Sequence, residues 1–169
     1  MDTAKLIQQL GTDGERIRAF VAGVSAEQAR WRPDEQTWSM LEMICHLHDE
    51  EKLDFRVRID TILHHPGEEP PDIDPEGWVQ AHGYNQRDLQ TELEGFLAER
   101  EKSITWLKGL EAPDWEAVYK ADWGSITTGE IFAGWLAHDL LHMRQLLELH
   151  WAYTKQLCAP YSMEYGGEW

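Results

Sequence analysis

Four long stretches of this chain repeat apolar residues at intervals of three and four, and no other feature restricts its fold as much. The first runs from about Thr3 to Ala22 on Leu6, Leu10, Ile17, Phe20 and Val21, and Gly23 stops it. A short helical turn over Ser25 to Arg30 follows and must close before Pro33. The second long pattern starts at Ser39, carries Met40, Met43, Ile44, Leu47, Leu53, Val57 and Ile62, and ends at His64-His65-Pro66-Gly67. The third spans roughly Asn85 to Leu110 on Leu89, Leu93, Phe96, Leu97, Ile104 and Leu107. The fourth spans Thr127 to about Tyr153 on Ile131, Trp135, Leu136, Leu140, Met143, Leu146, Leu147 and Leu149. Two of the starts are capping boxes, Ser39 with Glu42 and Thr127 with Glu130. In each, the hydroxyl accepts from the third backbone N–H while the carboxylate accepts from the cap's own N–H.

Strand signals are almost missing between these patterns. Pro66 to about Pro75 reads as a solvated acidic connection, and Trp115 to Ile126 as irregular or short extended chain. The expected fold is all-α, an antiparallel four-helix bundle with long helices. A single domain would cover residues 1–155, with 156–169 as a C-terminal tail. If the helices alternate up and down, the second and fourth are parallel and start at the same end of the bundle.

Charge narrows the functional classes. Asp and Glu number 31 against 15 Lys and Arg, a net charge of −16, which argues against binding nucleic acid or an anionic membrane surface. No segment has the roughly 20 consecutive apolar residues of a membrane helix, and the first residues lack a signal-peptide pattern. A cytoplasmic protein is expected. Cys45 and Cys158 share no framework spacing and read as two free thiols.

The net charge leaves out eight histidines. His138 and His142 lie four apart in the fourth helix, so their rings project from one face, and counting by three and four places them on a stripe with Ile131, Trp135 and Leu149. A buried imidazole without a partner costs roughly 1–3 kcal/mol, and one metal ion would supply a partner to both. On the second helix His46 lies on a mainly apolar stripe with Glu50 one turn on. In the alternating bundle its height above the common end, about 10 Å, approaches the 16–22 Å of His138 and His142. Asp49, Glu50 and Glu51 follow His46, and Glu50 lies closest to its face. That carboxylate is a candidate general base or acceptor for an imidazole N–H; the plainer alternative places all three acids on the solvated surface.

Trp38-Ser39-Met40-Leu41-Glu42, His46-Leu47 and Asp49, then His138-Asp139-Leu140-Leu141-His142 and Gln145, resemble the DinB-like superfamily of metalloenzymes of the YfiT type. The resemblance covers about Trp31 to His150. It implies a four-helix bundle with a divalent metal held by one histidine of the second helix and an HxxxH pair of the fourth, which here are His46, His138 and His142. His48 is an addition to the pattern, rotated about 200° from His46. Members of the superfamily include thiol-dependent S-transferases and a thiol-dependent isomerase.

Three neutral imidazoles leave coordination positions open, as a catalytic site requires, and suit zinc or nickel. The expected function is that of a divalent-metal-dependent enzyme acting on a small molecule, of the hydrolase type or of the S-transferase type with a low-molecular-weight thiol as cosubstrate. The alternative is a non-catalytic, metal-stabilised bundle that serves as a binding or interaction module. Bundles of this kind can pair through an apolar face, which leaves a homodimer open. Trp31 and Trp38 before the second helix, with Trp115 and Trp123 before the fourth, would meet at one end of the alternating bundle, either as an aromatic mouth above the metal or as a plug closing the core. His64 and His65 end a helix, where the dipole favours them. His82 and His150 have no partner at ligand spacing.

Overall fold

The computed structural model of the protein describes residues 1–121 and 124–169. Seven α-helices form among the described residues: α1 (Thr3–Val21), α2 (Ala26–Arg30), α3 (Met40–Leu53), α4 (Phe55–His64), α5 (Pro75–Ala81), α6 (Leu89–Gly109) and α7 (Thr128–Cys158). A two-stranded antiparallel hairpin, β1 (Val118–Ala121) with β2 (Gly124–Thr127), fills part of the segment before α7 and pairs Val118 with Thr127. Both capping boxes form as the sequence predicts. Glu42 also receives the Arg32 guanidinium, which ties the preceding loop to the start of α3. Asp2, Ser25, Asp74 and Asp88 cap the other starts through their side chains.

The long helices are α1, the α3–α4 pair, α6 and α7. The sequence pattern for one continuous second helix corresponds to two, because the backbone turns at Asp54 (φ −115°, ψ −93°) and restarts at Phe55. Arg58 donates to Asp54 Oδ1 at 2.7 Å and to the Pro71 carbonyl at 3.1 Å, fastening the bend to the returning chain. Residues 66–75 form the expected connection, but it continues into α5, where Asp74 as N-cap and Pro75 as first residue make a helix start. The last helix extends beyond Tyr153 to Cys158, and Trp169 folds back to stack on Trp151 at 4.6 Å.

Two apolar clusters show how the helices run. Met40, Met43 and Ile44 pack with Ile17 and Val21, Leu93 and Phe96, and Leu146 and Leu149. Ile59 packs with Ile7 and Leu10, Leu107, and Ile131, Phe132 and Trp135. Thus α3–α4 and α6 both descend from the first cluster to the second, while α1 and α7 both climb. The order along the chain is up, down, down, up, not the strict alternation the sequence suggested, although two helices still oppose two. The crossover over residues 65–88 permits this order by carrying the chain back along the bundle. Asp49 of α3 anchors it, accepting from Tyr84 Oη at 2.8 Å and facing His82 Nδ1 at 2.7 Å.

One consequence concerns the tryptophans. The starts of α3 and α7 lie at opposite ends, so Trp31 and Trp38 do not converge with Trp115. Trp38 packs against His46, Trp31 meets Tyr153 edge-on, and Trp115 stacks on Phe132 at the far end. Trp123 lies outside the described residues. On α7 the buried face is Ile131, Phe132, Trp135, Leu136, Asp139, His142, Met143, Leu146 and Leu149. Leu140 and Leu147, which the apolar count placed in the core, are 49% and 43% exposed because they flank this face.

Between the clusters sits a polar layer. Arg100 of α6 is 3% exposed; it donates twice to Asp139, at 2.6 and 2.9 Å, contacts Glu51 Oε2 at 2.9 Å and donates to the Leu10 carbonyl at 2.9 Å. Trp135 Nε1 donates to the same Glu51 oxygen at 2.9 Å. Burial opposes the guanidinium charge, but the Glu51 and Asp139 carboxylates overcome it and hold Arg100 protonated. Removing one partner of a buried cluster strands the others. Arg100→Leu is therefore expected to destabilise the protein by about 3–5 kcal/mol, and Arg100→Met combined with Glu51→Leu and Asp139→Leu to recover most of that; urea denaturation measures both.

Candidate metal centre

His46 enters the polar layer from α3, and His138 and His142 enter it from α7, one turn apart on one face. Because α3 descends from the end toward which α7 climbs, the three meet in mid-bundle. They are level for a reason opposite to that of a parallel pair, in which the heights would be counted from a common end. Their Nε2 atoms form a triangle with His46 to His138 at 3.1 Å, His46 to His142 at 3.1 Å and His142 to His138 at 2.9 Å. This is also the one group of three potential metal-binding side chains among the described residues.

Such a triangle cannot satisfy itself by hydrogen bonding. Each Nε2 presents either one proton or one lone pair along a single direction, so at most one matched pair exists at a time. Burial holds His46 and His142 down to about 3 and His138 to about 4, below the ordinary value near 6.5, so all three rings are neutral. At His46 the Glu50 carboxylate opposes this and the other two rings reinforce it; at His138 the Arg100 charge reinforces it. Neutral imidazole is the ligating form, and nitrogens about 3 Å apart are spaced as ligands of one ion bonded at about 2.0–2.1 Å. Among the described residues the buried Nδ1 atom of His46 has no hydrogen-bond partner, so packing fixes that ring, while the Gln145 side chain lies against His142 as its hydrogen-bonding neighbour. Trp38 lies 5.0 Å from the His46 ring, and Phe55 lies edge-on to His138 at 5.2 Å. The residues present fit a divalent cation.

The three acids after His46 are all buried, so the solvated alternative does not hold. Their roles diverge: Asp49 anchors the crossover, Glu51 belongs to the Arg100 cluster, and Glu50 faces the histidines. Glu50 Oε2 is 3.0 Å from His138 Nε2 and Oε1 is 3.8 Å from His46 Nε2. Burial raises its pKa above the usual carboxylate range, against the pull of His46 and Arg58. His48 turns away to meet Glu92 at 2.8 Å and fills the space left by Gly95. His150 Nε2 meets the Phe20 carbonyl at 2.6 Å, and His64 pairs with Asp60 at 2.8 Å. Cys45 and Cys158 are free, and burial pushes the Cys45 thiol up to about 12, which makes it inert. Two residues beside the histidines carried no signal in the sequence: Glu76 and Glu148 line the cavity next to them. Only the tertiary return of the crossover brings Glu76 there.

The depressed histidines link stability to pH. An unfolded chain protonates these rings near pH 6.5, whereas the folded chain does not until pH 3–4. Between those values the unfolded state binds more protons, so stability falls as the pH is lowered. Metal-free protein is expected to melt at progressively lower temperature from pH 6.5 to pH 4, and His46→Gln combined with His138→Gln should flatten that slope. Thermal melts across the window check this, and an equal slope in the variant would contradict it.

Comparison with known proteins agrees with this fold. YfiT from Bacillus subtilis, described as a probable metal-dependent hydrolase with an unusual four-helix bundle topology, superposes with a TM-score of 0.80 at 16% identity, over 90% of this chain and 87% of that one. No curated protein matches the sequence. The family model of the DinB superfamily matches residues 9–146, and the chain belongs to that superfamily.

Proposed function

We propose that this protein is a divalent-metal-dependent hydrolase of a small molecule, with His46, His138 and His142 as the metal ligands and Glu50 as the general base. The observation that carries the proposal is the position of Glu50, a buried carboxylate 3.0 Å from one imidazole of a neutral three-histidine cluster whose other two rings line an open cavity. Zinc and nickel suit imidazole donors. Held there, such an ion supplies Lewis acidity that makes a water proton easier to remove and a substrate carbonyl more electrophilic. Glu50 takes a proton from the attacking water as the oxygen bonds to the substrate carbon. The same carboxyl then delivers that proton to the leaving group as its bond to carbon breaks. The raised pKa of Glu50 suits both halves of this exchange, since it brings acid and base forms closer to neutral pH. Trp38 covers His46 and limits the water around it. The YfiT description as a probable hydrolase supports the same reading. An S-transferase using a low-molecular-weight thiol would need the same ligands, and rates with and without added thiol separate the two.

Two variants test the assignment. His138→Ala is expected to abolish stoichiometric metal binding, measured by elemental analysis of purified protein. Glu50→Gln should keep the metal and the fold yet lower kcat on a panel of small esters and amides by about 10²–10⁴-fold. Unchanged metal content in the first variant, or an unchanged rate in the second, would overturn it.

A further inference from the structure

The cavity beside the three imidazoles has a lining of one charge sign. It encloses about 800 Å³, room for a drug-sized molecule. At its inner side lie His46 and His142, each more than nine-tenths buried, with Nδ1 of His46 unpartnered among the described residues. Trp38, Met43 and Leu149 supply apolar surface. Among the described residues, and apart from the histidines, its ionisable lining residues are Glu76 of α5 and Glu148 of α7, with no lysine or arginine. Arg144 approaches Glu148 at 3.4 Å, but that pair is 66% and 50% exposed, so it holds the carboxylate only weakly.

Resting on the hydrolase reading, we propose that the substrate is a cationic amine with an apolar body. The ammonium group is held by Glu76 and Glu148, and the body lies against Trp38, Met43 and Leu149. The hydrolysable group then reaches Glu50 and the histidines. Trp38 adds an electron-rich ring face to which a cation is attracted. The −16 charge of the chain draws cations toward such a mouth and repels anions. Away from the metal centre, an anionic carboxylate or phosphate group would meet these two carboxylates and no lysine or arginine of the described lining.

The test uses three benzohydroxamates that share a metal-seeking group and differ at the para position: aminomethyl, methyl and carboxy. Binding to zinc-loaded protein is measured by calorimetry, with the zinc content of each sample determined in parallel. The aminomethyl compound is expected to bind about tenfold tighter than the methyl compound and the carboxy compound weakest, with the spread shrinking as salt is added. In Glu76→Gln combined with Glu148→Gln, the three affinities should fall within about twofold of one another. Equal affinities in the wild type, an ordering that persists in the double variant, or no hydroxamate binding to zinc-containing protein overturns the inference while leaving the metal centre standing. Failure to retain zinc at all overturns the hydrolase reading itself.

Discussion

Three neutral imidazoles pointing at one another in a desolvated layer form an arrangement that hydrogen bonding among the rings alone cannot complete, and much of the bundle serves to hold it. The rings come from two helices that run in opposite directions, so the register of α3 against α7 decides whether they meet. Apolar packing above and below sets that register, with Met43 and Leu146 on one side and Ile59 and Phe132 on the other. The buried ion cluster of Arg100, Glu51 and Asp139 constrains the same level, since it ties α3, α6 and α7 together directly beside His138. Such clusters fix arrangement more than they add stability.

The order of the helices is what makes the layer accessible. With two helices descending in succession, the chain must return along the bundle between them, and that return carries α5 past the start of α3. Glu76 thereby joins a cavity whose other members come from the loop before α3 and from α7. Asp49, adjacent to Glu50, holds the returning segment through Tyr84 and His82. One short stretch of α3 thus supplies a histidine of the centre, its nearest carboxylate, the anchor of the cavity wall and a member of the ion cluster.

Local signals in the sequence were read well. The capping boxes at Ser39 and Thr127 gave two helix starts to the residue, because they are completed within four residues and need no tertiary partner. His138 and His142 shared a face for the same reason, as helical geometry fixes an i, i+4 pair. What failed were inferences that required knowing how helices run relative to one another. Short-range patterns carry no direction, so the alternating order does not hold, nor does the meeting of Trp31 and Trp38 with Trp115 that it implied. Asp49 and Glu51 looked like surface acids because their partners, Tyr84, His82 and Arg100, are distant in sequence. The bend at Asp54 was also hidden, since the apolar spacing passes through it with little interruption.

The most direct test of the account is diffraction from crystals of the zinc-loaded protein at wavelengths on either side of the zinc absorption edge. The account predicts one strong anomalous peak, about 2.0–2.1 Å from Nε2 of His46, His138 and His142, with Glu50 beside it. A peak at another histidine, such as His82 with Asp49 or His64 with Asp60, or no peak among the three rings, would contradict it.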